Sequence, residues 1–248
     1  MISTPDTMLT TPKAILFDLD DTIIDLTTAT ENVWQVIGEQ FAPQAGLSTA
    51  VFADALNHTR AWFWDDPDRH REWRMKINAA RGEIVRLALQ HANTDAPHIP
   101  AAVSQMGESL LLEGLQPFPG AIETLHHFRA QGIALALLTN GAGASQRRKI
   151  VKFNLEPCFD CILIEGEFGV GKPDARIYQH ALQQLNVQPH EAWMVGDRLE
   201  WEVAAPQRAG IAGIWVDFKR SGLPANSPIQ PNHIVQNISE LQQFAIGN

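Results

Sequence analysis

Two aspartates that close a short apolar run are the residues of this sequence best suited to chemistry. Asp18 and Asp20 follow the apolar residues 14–17 and precede Asp21, so three carboxylates lie within four positions. An extended backbone directs side chains two positions apart to the same side. Carboxylates this close repel one another, and such a cluster persists most easily around a cation or a reacting group. An acidic turn after an edge strand is the alternative.

Three further polar clusters each follow a predicted strand. They are Thr139-Asn140-Gly141, Lys172 in a Gly-Lys-Pro setting, and Asp197 after Gly196 with Glu200 and Glu202 behind it. In open α/β sheets, ligands bind at the carboxyl ends of the strands. We therefore expect these side chains to converge with Asp18 on one pocket.

Two regions of the chain differ in their predicted secondary structure. Residues 26–114 carry apolar residues at helical spacing and no convincing strand signal. Alternating strands and helices follow from Pro117 onward, which predicts a parallel sheet with helices on both faces. We therefore predict a doubly wound, Rossmann-like α/β core, residues 1–25 and 115–248, with an all-helical domain, residues 26–114, inserted after the first strand.

Boundaries within these domains follow from periodicity and from turn residues. Residues 1–12 are expected to form a loose tail, and a single helix is expected from His70 to His91 after a turn at 65–68. Pro173 is expected in the first turn of a helix, and an ordinary helix is expected through Ala204 and Ala205. The predicted strands are 14–17, 133–138, 161–164, 192–195, 213–216 and 234–235.

Composition excludes several classes of function. The chain has 248 residues, 45% hydrophobic and 19% charged, and its formal net charge is −9. A nucleic-acid surface would show a basic excess, so we expect no nucleic-acid partner. No apolar run approaches a membrane span, and the first residues do not read as a signal peptide, so a cytoplasmic protein without a membrane partner is expected.

The two cysteines, Cys158 and Cys161, are spaced as C-x-x-C but lead into an apolar run. A zinc site would need two more ligands at matching spacing, and the sequence shows none. We interpret both cysteines as small core residues, and low cysteine use fits a reducing compartment.

The four ordered clusters resemble those of the haloacid dehalogenase-like hydrolases, from about Lys13 to about Asp217. The resemblance implies a Mg²⁺-dependent phosphatase that works through an aspartyl-phosphate, and it agrees with a helical cap between the first and second clusters. A cap over a site at the end of a sheet can exclude water and select substrates, so specificity is expected in the cap.

The resemblance also implies roles for individual residues. Asp18 would be the nucleophile, and Asp20 the general acid and base, which must carry a proton as the leaving oxygen departs; acidic neighbours favour that state. Mg²⁺ would bind the Asp18 and Asp197 carboxylates and the backbone carbonyl of Asp20. Phosphate would be bound by Thr139, Asn140, Gly141 and Lys172.

One position departs from the family pattern. The family often has a second acid, usually Asp, five residues after the first in the last cluster, and Glu202 stands there. We expect Glu202 to act on the metal through water. A longer side chain would then weaken Mg²⁺ binding relative to an E202D variant, because Mg²⁺ demands near-ideal geometry.

An acid at position 20 favours phosphate monoesters over halogenated acids, since halide leaves without a proton. The expected substrate is a small phosphorylated metabolite, such as a sugar phosphate or a nucleoside monophosphate. A phosphomutase of the same fold and a catalytically weak phosphometabolite-binding protein remain alternatives. The expected assembly is a monomer or a homodimer.

Overall fold

The chain folds into two compact units, described here from a computed structural model that covers residues 11–244. One unit comprises the residues up to Asp25 together with those from Pro117 onward, and the other comprises Leu26–Gln116. The second unit ends two residues beyond the predicted boundary at 114. Most of the predicted tail, residues 1–12, lies outside the described residues.

The first unit is built on a parallel sheet of six strands in the order β3-β2-β1-β4-β5-β6. The four residues of β1 are fully buried, as expected for a parallel sheet covered by helices on both faces. The prediction of a doubly wound α/β core is therefore confirmed. The strands are β1 Ala14–Phe17, β2 Ala134–Thr139, β3 Cys161–Ile164, β4 Ala192–Gly196, β5 Ala212–Val216 and β6 His233–Val235.

Helices of this unit pack on both faces of the sheet. On one face, Ile177, Tyr178 and Ala181 of the helix Ala175–Leu185 join Leu16 and Met194 in a buried cluster. On the other face, the rings of Phe17 and Phe128 lie 6.4 Å apart. The helices are α6 Ala121–Ala130, α7 Gly143–Lys152, α8 Glu165–Phe168, α9 Ala175–Leu185 and α10 Ala205–Arg208, and a 3₁₀ segment at Ile238–Gln243 ends the described chain.

The second unit consists of helices joined by short connections. Its helices are α1 Leu26–Phe41, α2 Thr49–Asp65, α3 Pro67–Trp73, α4 Ile77–His91 and α5 His98–Gly114. None of the described helices, in either unit, is long and apolar enough to cross a membrane.

The predicted helix from His70 to His91 is wrong as a single element. A 3₁₀ turn, Arg74–Lys76, separates α3 from α4, and neither α3 nor that turn buries a side chain. Without buried contacts there, packing does not hold the two segments on one axis. The apolar spacing continues through the break, so periodicity alone cannot reveal it.

Two predictions near the carboxyl ends of strands also differ from the structure. Pro173 lies before α9, which begins at Ala175 with Asp174 as its N-cap, accepting a hydrogen bond from the Arg176 amide at 3.0 Å. The predicted helix through Ala204 begins instead as a π-helix, Leu199–Ala204, that continues into α10. Such π segments inside helices occur frequently at functional sites.

The chain leaves and re-enters the α/β unit at adjacent points. Ile24 and Pro117 form an antiparallel bridge, and the Phe118 amide donates to the Ile23 carbonyl at 2.9 Å. The two ends of the helical insertion are therefore tied together within the α/β unit.

Candidate active site

The first strand lies in the centre of the sheet and places Asp18 between two other polar clusters. Phe17 pairs with Leu137 of β2 on one side and with Val195 of β4 on the other. The Asp18 amide donates to the Val195 carbonyl at 2.9 Å, which extends this pairing by one residue. The order of the strands reverses beside β1, which is where open α/β sheets bind ligands.

A buried ion cluster joins three of the predicted site residues. The Lys172 ammonium Nζ lies 2.5 Å from Oδ1 of Asp18 and 2.8 Å from Oε1 of Glu202. All three residues are buried, and Lys172 is only 1% exposed. Because their sequence positions are far apart, only the folded sheet brings them together.

The charges of this cluster compensate one another. Burial raises the pKa of Asp18, and the Lys172 ammonium offsets part of that rise. Burial also raises the pKa of Glu202, to about 7, with Lys172 opposing the rise and Asp18 adding to it. Burial lowers the pKa of Lys172, but the two carboxylates outweigh burial and hold that pKa above its usual value. Lys172 is therefore a permanent cation beside Asp18.

The Glu202 carboxylate contacts two groups of the protein. Its Oε2 accepts a hydrogen bond from the Arg198 amide at 2.7 Å, and its Oε1 pairs with Lys172. The π-helix turns Glu202 back toward Gly196, where a methyl group in place of hydrogen would lie 2.1 Å from Cγ of Glu202. Glycine at 196 thus makes room for an acid that contacts the lysine.

Asp197 follows β4 and retains partial access to solvent. Its side chain is 15% exposed and lies 3.5 Å from the Arg198 guanidinium, while its carbonyl accepts a hydrogen bond from Trp215 Nε1 at 2.8 Å. Burial raises the pKa of Asp197 well above its ordinary value, and the charges of Glu202 and Asp18 add to that rise. Asp197 is therefore an acid crowded by other acids.

Asn140 and Gly141 have protein partners that the sequence did not suggest. The Asn140 side chain donates to the Lys172 carbonyl at 2.7 Å and accepts from the Lys172 amide at 2.8 Å. The Gly141 amide donates to Oε2 of Glu165 at 2.9 Å. The Asn140 side chain therefore holds the backbone at Lys172, and the Gly141 amide is paired with a carboxylate.

Asp20 and Thr139 are joined by two side chains of α7 that sequence reasoning missed. Lys149 Nζ lies 2.8 Å from both carboxylate oxygens of Asp20. Gln146 Nε2 donates to Oδ2 of Asp20 at 3.0 Å and to the Thr139 hydroxyl oxygen. The acidic neighbours expected around Asp20 are thus accompanied by a direct cationic partner. The only available signal was a basic run on α7, which resembles an ordinary solvated helix face.

The donor set fits Mg²⁺. Among residues 11–244, no three His, Cys, Asp or Glu side chains are arranged to hold a metal by themselves. Mg²⁺ does not require such a group, since it keeps several waters and binds through one or two carboxylates. Asp18 raises the pKa of Asp197, so the two carboxylates repel each other, and a cation would relieve that repulsion.

Comparison with known proteins places the sequence among phosphatases. Residues 12–210 match the haloacid dehalogenase-like hydrolase family. A phosphoserine phosphatase of Thermus thermophilus is 30% identical, over 92% of this chain and 97% of that protein. A glyceraldehyde 3-phosphate phosphatase of Methanopyrus kandleri is 28% identical over 82% of each chain, and the pyrimidine 5'-nucleotidase YjjG of Escherichia coli is 29% identical over 68% of this chain and 76% of its own.

Solved structures share the fold. The magnesium-bound putative hydrolase YfnB of Bacillus subtilis superposes with a TM-score of 0.74 at 21% identity, over 94% of this chain and 98% of that one. A 2-haloacid dehalogenase of Pseudomonas syringae gives a TM-score of 0.62 at 24% identity, over 94% and 97% of the two chains. With the sheet, the buried Asp18–Lys172 pair and the match over residues 12–210, this chain belongs to the haloacid dehalogenase-like hydrolases.

Proposed function

We propose that this protein is a Mg²⁺-dependent phosphatase that hydrolyses a small phosphomonoester, such as a sugar phosphate or a nucleoside monophosphate, through an aspartyl-phosphate on Asp18. The protein is a phosphoric monoester hydrolase. The observation that carries the proposed mechanism is the buried contact of 2.5 Å between Lys172 and Asp18 at the end of the central strand. A cation held there favours both an ionised nucleophile and an anionic substrate.

In the first half-reaction, an oxygen of Asp18 attacks phosphorus and the ester P–O bond breaks. The leaving oxygen takes a proton from Asp20, and the phosphoryl group remains on Asp18. The Thr139 hydroxyl oxygen accepts a hydrogen bond from Gln146, which leaves its proton to donate to a phosphoryl oxygen. Lys172 balances the negative charge of the Asp18 carboxylate and of the phosphoryl group transferred to it.

In the second half-reaction, Asp20 takes a proton from water as the water oxygen attacks the phosphorus. The bond between phosphorus and Asp18 breaks, and inorganic phosphate and a free Asp18 carboxylate result. Asp20 returns to its protonated form and is ready for the next substrate. One residue thus acts first as acid and then as base.

Asp18, Asp197 and the Asp20 backbone carbonyl would hold the Mg²⁺, with water in its remaining positions. Bound Mg²⁺ would neutralise charge on the phosphoryl oxygens and on the acids around them. Glu202 contacts Lys172 and the Arg198 amide, and these contacts hold the ammonium against Asp18. Asn140 supports the same lysine through the backbone at 172.

Release of phosphate from p-nitrophenyl phosphate tests the class of reaction. The wild-type protein should turn over with Mg²⁺ and lose its activity with EDTA, and D18N should be inactive while it remains folded. Activity of D18N close to that of the wild type would exclude Asp18 as nucleophile. The exposed Asp68, in the other unit, gives a matched D68N control that should keep full activity.

The covalent intermediate has its own test. In D20N the base is missing, so a substrate with a good leaving group, 2,4-dinitrophenyl phosphate, should phosphorylate Asp18 but water should attack slowly. Acid-quenched D20N should then carry one extra phosphoryl group on the peptide with Asp18, detected by mass spectrometry. A panel of phosphorylated metabolites, followed by phosphate release, identifies the substrate and separates hydrolysis from phosphoryl transfer to a sugar hydroxyl.

A further inference from the structure

Lys149 differs from the other basic residues of α7 in its burial. Its side chain is 6% exposed, and its ammonium lies 2.8 Å from both oxygens of the Asp20 carboxylate. Arg148 and Lys152, on the same helix, are exposed. Burying an ammonium is costly unless it is paired, so the Asp20 carboxylate and Lys149 hold each other in place.

Gln146 lies three residues earlier on α7 and therefore on the same face of the helix. Its side-chain amide contacts Oδ2 of Asp20 at 3.0 Å, the Asn140 carbonyl at 3.0 Å and the Thr139 hydroxyl oxygen. The carboxylate and the carbonyl only accept hydrogen bonds, so the amide nitrogen must face them. The Gln146 side chain thus joins Asp20, in the loop after β1, to Thr139 and Asn140 at the end of β2.

These contacts fix the direction of the Asp20 carboxylate. Asp20 is partly exposed, with a side chain 22% accessible, and without partners it would sample several rotamers. A general acid works only when it lies within hydrogen-bond reach of the leaving oxygen. Three contacts from α7 restrict the Asp20 side chain to one position, which reduces the entropy lost in the reaction.

We propose that Gln146 and Lys149 are positioning residues that hold Asp20 for proton transfer to the leaving oxygen. This inference rests on the proposed function, because it assigns a role within that reaction. Neither residue needs to touch the substrate. Their contribution should therefore scale with how much the leaving group needs a proton.

The leaving-group dependence of kcat/KM separates this role from a structural one. An alkyl phosphate expels a poor leaving group and needs the proton, whereas 2,4-dinitrophenolate leaves without one. General acid catalysis contributes about 100- to 10,000-fold, and loss of positioning should remove part of it. We expect Lys149→Met to lower kcat/KM for the alkyl phosphate about 10- to 100-fold, and for 2,4-dinitrophenyl phosphate less than about threefold.

Matched variants complete the experiment. Lys152→Met removes an exposed lysine from the same helix and should leave kcat/KM for both substrates unchanged. If Lys149→Met fails to fold, Gln146→Leu should show the same loss of kcat/KM for the alkyl phosphate alone. In a D20N background, Lys149→Met should cause no further loss, because there is no acid left to position. Equal losses on both substrates, or a further loss in D20N, would overturn the role assigned to α7.

The same assays distinguish failure of the proposed phosphatase function from failure of the positioning role alone. A wild-type protein that released no phosphate from either ester with Mg²⁺ would refute the phosphatase mechanism itself. A wild-type protein that hydrolyses both esters, with Lys149→Met and Gln146→Leu indistinguishable from it, would refute only the positioning role.

Discussion

At the scale of single residues, Lys172 is the centre of the buried charges, with its ammonium 2.5 Å from Asp18 and 2.8 Å from Glu202. Asp18 and Lys172 stand out because each closes or follows an apolar strand, and the structure joins them directly. The partners of Lys172 were not predictable: Glu202 and Asn140 lie about thirty positions away along the chain, and their contacts depend on the register between strands. A residue type predicts a capacity to bind, but only tertiary packing selects the partner.

Glu202 offers a direct test of this distinction. Shortening the side chain in E202D should pull the carboxylate away from Lys172, which lies 2.8 Å from it, and leave the ammonium held by Asp18 alone. We expect kcat to fall about tenfold, since one charge-assisted contact is worth about 1.5 kcal/mol. The Mg²⁺ concentration for half-maximal activity should stay unchanged, measured by titration with p-nitrophenyl phosphate.

The neighbouring acid supplies the control for that experiment. Glu200 is on the same π-helix but pairs with Arg208 at 2.6 Å on the surface, so E200D should leave both quantities unchanged. A tighter Mg²⁺ midpoint in E202D, with kcat preserved, would instead support the metal role expected from sequence.

At the scale of elements, strands were easier to predict than the helices between them. The buried strands contain short apolar runs closed by polar residues, and their positions agree with the predictions to within one residue at every end. The break at Arg74–Lys76 and the π-helix at Leu199–Ala204 could not be predicted, because neither interrupts the apolar spacing. The burial of Gln146 and Lys149 on α7 could not be predicted either, because it depends on contacts with residues far away in the sequence.

The loop after β5 gives a prediction about stability at this scale. Asp217 accepts hydrogen bonds from the Ser221 amide at 2.9 Å, the Ser221 hydroxyl at 2.9 Å and the Gly222 amide at 2.7 Å. Burial raises the pKa of Asp217, but these hydrogen bonds outweigh it and hold the pKa below 3.8. D217N should lower the free energy of unfolding at pH 7 by about 1–3 kcal/mol, measured by urea denaturation.

The pH dependence of this effect has a defined sign. Because the folded-state pKa lies below the unfolded value, the unfolded chain binds the proton more readily. The stabilisation by Asp217 is therefore complete above the unfolded pKa and is lost as the pH falls through the lower folded value. The difference between wild type and D217N should shrink below about pH 3.8. A difference that grows with acidity would contradict this account.

At the scale of the whole molecule, the helical unit is an insertion whose ends meet. The bridge between Ile24 and Pro117 and the hydrogen bond from Phe118 to Ile23 belong to the α/β unit. Replacing residues 26–116 by a tight Asn-Gly turn should therefore leave a folded α/β protein. Circular dichroism should show reduced helix content, and urea should still produce a cooperative transition; a gradual loss of signal would show that the sheet depends on the insertion.

This arrangement also bears on how such enzymes diversify. Since the two ends of the insertion are joined by backbone pairing at Ile24 and Pro117, a graft of another length or sequence would leave strand alignment and the buried charges undisturbed. The helical insertion could therefore be exchanged during evolution while the reaction of the α/β unit is kept. A chimaera carrying the corresponding segment of a distant homologue should accordingly fold and keep its phosphatase activity.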